Sequence, residues 1–297
     1  MEPDIIIVGG GPAGIITALT AKSVYPDKSV CLIKDVGDGV VPCAIPYMMH
    51  SMSDPKENIM GNTPLENAGI EIIVGKVVSL DLEKKTVILE SGQQMSYDRL
   101  VLATGLITAM PKIPGVDKEG VFGIEKSLAA MTVLRKEAKK AKNVVVIGGG
   151  FIGAEFADEL SRASDVKVHI VEIMPKLLLT AFDDEFCDEA ADELRAAGVK
   201  VHTNISVASI DGGRRVESVT LEGGEKIPAD MVIIGIGGKP NTEFARKAGL
   251  LVAEHGGIRV DAYMRTSTEG VFAVGDCAVK RDFFTRRDVP VWLASTA

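Results

Sequence analysis

Cys43 stands alone in the stretch VPCAIPYMMH, residues 41–50, between Pro42 and Pro46. A thiol in such a place is either an apolar filler, the commonest fate of a free cysteine, or a nucleophile and redox centre. No cysteine lies four to six residues from it, and Cys31, Cys187 and Cys277 show neither zinc-site nor disulfide-framework spacing. A second kind of chemistry is written twice. Gly9, Gly11 and Gly14 in GGGPAG, and Gly148, Gly150 and Gly153 in GGGFIG, both read G-x-G-x-x-G. Pro12 and Ala13 fill the first turn, Phe151 and Ile152 the second. Such glycines permit a tight turn, close approach of backbone to a pyrophosphate, and close helix–strand packing.

A glycine turn does this only when a strand precedes it and a helix follows. Both contexts are present. DIIIVGGGPAGIITAL at 4–19 and NVVVIGGGFIGAEFADEL at 143–160 each run from an apolar β-type segment through the turn into an amphipathic helical pattern. SVCLI at 29–33 and VKVHIV at 166–171 then supply the next strands. This is the start of a parallel βαβ unit, twice. Each helix N-terminus offers free N–H groups and a positive dipole to phosphate.

The ends of the second strands bear on the ligands. Glu172 closes VHIVE, where a carboxylate can accept bonds from ribose hydroxyls. No arginine follows it closely, though Lys176 is near, which favours NADH over NADPH. The first unit has Lys34 there, then Asp35. Either Asp35 serves from one position along, or the ribose is held differently, or both are solvated strand-end charges. Between the units lie a meander-like stretch, the strand LVLATG and the proline-rich hinge AMPKIPG at 109–115. ADMVIIGIGGKPN at 229–241 and TSTEGVFAVGDCA at 266–278 close the pattern. The expected fold is α/β: two Rossmann-like three-layer ββα dinucleotide-binding domains, the second inserted into the first. The first would span 1–110 and 241–297, the second 111–240.

Composition sets bounds. The 297 residues are 46% apolar and 25% charged, with a net charge of −8. The acidity argues against nucleic acid, which needs a basic surface. No apolar run reaches the ~18 residues of a membrane helix, and the acidic start MEPDIIIVGGG is unlike a signal peptide. The cytoplasm, where thiols stay reduced, is the expected location.

GGGPAG, LVLATG, GGGFIGAE, GIGGKPN and VFAVGDCA, in this order, resemble the two-dinucleotide-domain flavoprotein disulfide reductases across nearly the whole chain. The resemblance implies FAD in the first domain and a nicotinamide cofactor in the second. It implies that Asp276, with Gly275, binds the flavin's ribityl chain, and that Thr104 and Gly105 border the flavin domain's exit. Glu155 and Gly237 fall at positions near the nicotinamide. PCAIPY is similar to the single-cysteine branch: coenzyme A-disulfide reductases, persulfide reductases, and NADH oxidases and peroxidases. There the lone cysteine lies over the flavin, with a small molecule as its redox partner. Tyr47 would line that pocket. Pro12 stands where the oxidases and peroxidases carry a histidine, which favours disulfide or persulfide substrates. Lys22 lies about where coenzyme A-disulfide reductases hold nucleotide phosphates, although a lysine ending a helix also suits the dipole.

Cys43 is expected at the head of a short helical stretch, PYMMHSM. The alternatives are an NADH oxidase cycling through a cysteine sulfenate, an electron-carrier reductase that does not use Cys43, or a non-catalytic dinucleotide-binding module. The family continues into a third, dimer-forming domain. The chain is expected to lack it, to begin the helix leading there at VWLASTA, and to be monomeric where the full-length protein is a homodimer.

Overall fold

The computed structural model describes residues 2–163 and 165–289. The stretch VWLASTA lies outside them. Six α-helices occur among the described residues: α1 (Pro12–Val24), α2 (Thr63–Asn67), α3 (Leu128–Ala138), α4 (Phe151–Ser161), α5 (Asp184–Ala196) and α6 (Glu243–Lys247). None is long and apolar enough to cross a membrane.

The chain divides into two compact units. The first comprises 1–41, 60–107 and 239–297, the second 42–59 and 108–238. Chain continuity suggested that 42–59 would go with the first. It clusters with the second, because its turns pack on α3 and α4.

The first unit is built on a five-stranded parallel sheet in the order Val271–Ala273, Arg99–Leu102, Ile5–Val8, Val30–Lys34, Glu71–Val74. Its strands are short apolar runs because both faces are covered. The alternation of side chains sorts them. Ile6, Val8, Cys31, Ile33, Leu100 and Leu102 share one core with the antiparallel sheet Val77–Asp81, Thr86–Leu89, Gln94–Ser96. Ile7, Val30, Leu32 and Val101 share another with α1 and Leu65 of α2. Each such fully buried side chain contributes roughly 1.5–3 kcal/mol.

The second unit repeats the plan. Its parallel sheet runs Lys200–His202, Lys167–Val171, Asn143–Ile147, Met231–Ile234, Val121–Phe122. Val145, Ile147, Val171, Val232 and Ile234 pack against the antiparallel sheet Val207–Asp211, Ser218–Leu221, Lys226–Pro228. Both antiparallel sheets carry a register shift in the first strand, at Val77/Ser79 and at Val207/Ser209.

Candidate functional site: two glycine turns and an exposed cysteine

In the first unit the three glycines have three different duties. Gly9 has φ +125°, and a Cβ on it would overlap the Ala103 carbonyl of the neighbouring strand's end. A Cβ on Gly14 would overlap the Gly9 carbonyl oxygen. Gly11, the N-cap of α1, faces open space. The turn is therefore closed on the protein side and open where a pyrophosphate would lie. Gly275 has φ +69°, and its position is pressed against Ala13. Beside it, Asp276 has a buried carboxylate oxygen with no hydrogen-bond partner. A buried orphan acceptor calls for a hydroxyl or N–H donor. Together these residues fit FAD.

Other expected flavin residues have protein partners. Lys34 is 4% exposed, and its amino group donates to the Gly37 carbonyl and to Asn62 Oδ1 (2.7 Å). It braces the strand end beneath Gly10, while Asp35 stays exposed. Burial lowers the Lys34 pKa. Thr104 Oγ1 donates to the Asn241 carbonyl (2.7 Å), and Asn241 N–H donates to the Gly105 carbonyl (2.9 Å). Lys22 Nζ donates to the carbonyls of Pro26 (2.7 Å) and Lys28 (3.0 Å), the bonds of a helix-end brace.

In the second unit the pattern recurs. Gly148 has φ +107° and abuts Gly235; a Cβ on Gly153 would overlap the Gly148 carbonyl oxygen; Gly150, the N-cap of α4, faces open space. Glu172 accepts from the N–H of Gly149 and of Met174 (2.7 Å). Lys176 is not free to meet a further anion, being ion-paired with Asp184 (3.2 Å) and Asp188 (2.8 Å). Phe151 and Ile152 are exposed at the start of α4, and Phe151 meets Phe182 edge-on. Glu155 is half-buried one turn on, and burial raises its pKa. Gly237 has φ +91°, and its carbonyl accepts from Ala109 N–H (3.0 Å). This turn, with a carboxylate at the second strand's end, fits a nicotinamide dinucleotide.

Cys43 is the one exposed cysteine of the four; Cys31, Cys187 and Cys277 are buried. Burial pushes the Cys31 thiol up to about 12, and Cys277 contacts the Leu102 and Val274 carbonyls (both 3.2 Å). In place of the expected helix there are two 3₁₀ turns, each begun by a proline: Pro42–Ala44, which holds Cys43, and Pro46–Met48 after it. Tyr47 is 42% exposed on the second. Sequence reasoning missed what anchors this segment: Ser51, Arg135 and Glu159. The legible signal was a carboxylate on the buried face of α4, among Phe156, Ala157 and Leu160.

A family model described as pyridine nucleotide-disulphide oxidoreductase matches residues 3–295. The NAD(P)H coenzyme A polysulfide/persulfide reductase of Pyrococcus horikoshii is 34% identical, over 99% of this chain and 67% of its own length. The NADH oxidase of Methanocaldococcus jannaschii is 33% identical, over 94% and 64%. Among solved structures, the ferredoxin reductase for the CYP199A2 system of Rhodopseudomonas palustris has a TM-score of 0.91 at 30% identity, over 99% and 73%. The chain thus spans about two thirds of the length of these two curated relatives. It belongs to the pyridine nucleotide-disulphide oxidoreductase family, a membership that implies FAD and NAD(P)H as its cofactors.

Proposed function

We propose that the chain is the nucleotide-binding core of an oxidoreductase that takes electron pairs from NADH and passes them through Cys43 to a small disulfide, persulfide or polysulfide. A coenzyme A derivative is the favoured substrate class. The observation that carries the reading is the exposed Cys43 in a proline-braced segment, while every other cysteine is buried.

FAD, when bound, supplies the two-electron relay between nicotinamide and sulfur. The chain's residues bind and orient. Gly9, Gly11, Pro12, Ala13, Gly14 and the α1 N-terminus receive the flavin pyrophosphate; Asp35 takes the ribose; Asp276 accepts from a flavin-chain hydroxyl. Gly148, Gly150, Gly153 and the α4 N-terminus receive the second pyrophosphate, with Phe151, Ile152, Glu155 and Gly237 nearby. Glu172 would repel a 2′-phosphate, and Lys176 is occupied by two aspartates, which supports NADH.

The Cys43 thiolate attacks one sulfur of a substrate disulfide, and the other half leaves as a thiolate. Two electrons then cleave the new S–S bond, restoring Cys43 and releasing the second thiolate. With a persulfide, RSSH, the outer sulfur joins Cys43, RS⁻ leaves, and two electrons release HS⁻. Lys22 gives two of its three donors to the end of α1 and keeps one for a phosphate of a coenzyme A substrate. The full-length protein is read as a cytoplasmic homodimer.

The test is anaerobic NADH oxidation by the full-length, FAD-loaded protein with coenzyme A disulfide or persulfide. Cys43→Ser should abolish acceptor-dependent turnover, by about 10³-fold or more. Turnover surviving in Cys43→Ser would instead assign an electron-carrier reductase. Oxidation that needs oxygen would assign an NADH oxidase, the reading supported by the archaeal relative's name and weakened by Pro12.

A further inference from the structure

The segment carrying Cys43 is tied to its unit by two buried charges that the chemistry above does not use. Glu159, in the last turn of α4, is 2% exposed. Its carboxylate accepts from Ser51 N–H (2.8 Å) and from Ser51 Oγ (2.6 Å), one bond to each oxygen. Arg162 approaches the same group at 3.7 Å. Arg135 on α3 is 9% exposed, and its Nη2 donates to the Met52 (2.8 Å) and Ser53 (3.2 Å) carbonyls. Its Nε and Nη1 are buried without partners.

These bonds act at one end of a stiff connection. From Cys43 to Met52 the backbone is closed by successive bonds: Ile45 N–H to the Pro42 carbonyl (3.2 Å), Met48 to Ile45 (3.1 Å), Met49 to Pro46 (2.9 Å) and Met52 to Tyr47 (2.9 Å). Ile45, Met48 and Met49 are buried. Asn58 caps the packing, its Nδ2 on Met48 Sδ at 3.1 Å. A shift at Ser51 therefore moves the Cys43 turn as a body.

Apolar residues would hold such a segment about as well. A buried ion is no better for stability than a well-packed apolar group of similar volume, but it fixes register. A carboxylate bonded to both donors of one serine admits a single placement; a leucine would admit several. The same helix bears Gly150 at its N-terminus, so the nucleotide turn and the anchor of Cys43 lie on one rod.

We propose that Glu159 and Arg135 are positioning residues that fix the register of the Cys43 segment on the second unit, an inference that rests on the redox reading of Cys43. Glu159→Ala, in the full-length FAD-loaded enzyme, should raise hydrogen exchange of the amides between Tyr47 and Met52 by about tenfold. It should lower kcat with a disulfide acceptor by roughly 10–100-fold, the cost of misplacing a reacting group by about an ångström. The KM for NADH should stay within about twofold of wild type. Glu159→Gln, which keeps an acceptor for Ser51, should restore most of kcat.

A merely stabilising role would lower the melting temperature without that split between kcat and KM and without the rescue. If Glu159→Ala does not fold, Ser51→Ala removes one of the two bonds from an exposed position and should give a smaller change in the same directions. Unchanged exchange and kcat in the folded variants would overturn the proposal. Failure of the redox reading shows separately, as turnover surviving Cys43→Ser.

Discussion

Gly150 and Gly153 lie three residues apart on one turn, yet substitution should separate binding from folding. Gly150 has φ −76° and ψ −173°, backbone that alanine adopts freely, and no atom lies within 4 Å of the added carbon. Gly150→Ala should leave stability within about 0.5 kcal/mol and weaken NADH binding, because the methyl occupies the phosphate side. Gly153→Ala places the methyl in backbone that cannot give way, and should cost about 1–3 kcal/mol or more. Paired denaturation and NADH titrations decide it; equal stability losses would refute the division of duties. If the Glu172 carboxylate repels a 2′-phosphate, Glu172→Ser should raise kcat/KM with NADPH relative to NADH by about tenfold, roughly 1.4 kcal/mol. An unchanged ratio would refute that role of Glu172. The glycine turns and Glu172 were legible because their chemistry is local in sequence. Lys34 was not: its partners, Gly37 and Asn62, are supplied by the fold, and one is 28 residues away.

At the scale of the element, the neighbouring strands Lys167–Val171 and Lys200–His202 bring two histidines together. His169 Nδ1 and His202 Nε2 are 3.0 Å apart, with rings stacked at 10°. One must donate and the other accept, so both cannot be protonated there. Burial, then His202, then Lys200 and Lys167 lower His169 to about 4 from 6.5. A depressed histidine pKa means that the unfolded chain binds the proton first. The stabilisation is whole above pH 6.5 and is lost as pH falls towards 4. The melting temperature of wild type should drop across that window, and part of the drop should vanish in His169→Gln. Identical pH profiles would exclude the pair. The strands themselves were plain in the sequence as apolar runs, but their neighbours were not. Residues 77–96 form a separate antiparallel sheet, while Glu71–Val74 joins the parallel one. The helix expected from Pro46 gave way to a 3₁₀ turn, because Met49 N–H bonds the Pro46 carbonyl and Met52 N–H reaches back to the Tyr47 carbonyl, neither being the i to i−4 bond of an α-helix.

At the scale of the whole molecule, two units each own a parallel sheet and a core. Calorimetry of the apo chain should therefore show two transitions, not the single one of a small domain. NADH should raise one of them, by about 2.7 kcal/mol at a hundred times its Kd, and leave the other in place. A single transition that moves as a whole would contradict independent cores. The duplicated plan was readable from the paired glycine motifs. The placement of 42–59 was not, since what assigns it is a set of contacts more than 80 residues apart in sequence, Ser51 to Glu159 and Arg135 to Met52 and Ser53.

That placement bears on recombination. The second unit is written in two pieces, 42–59 and 108–238, with 60–107 of the first unit between them. A chimaera made by exchanging the long piece alone, to import another coenzyme preference for instance, would pair a foreign helix with the native cysteine loop. Ser51 would then lose its buried acceptor, and the Met52 and Ser53 carbonyls would lose their guanidinium donor. Exchanges that carry both pieces keep these matches intact. The productive crossover points are thus four, at 41/42, 59/60, 107/108 and 238/239, and not the two that a contiguous insertion would suggest.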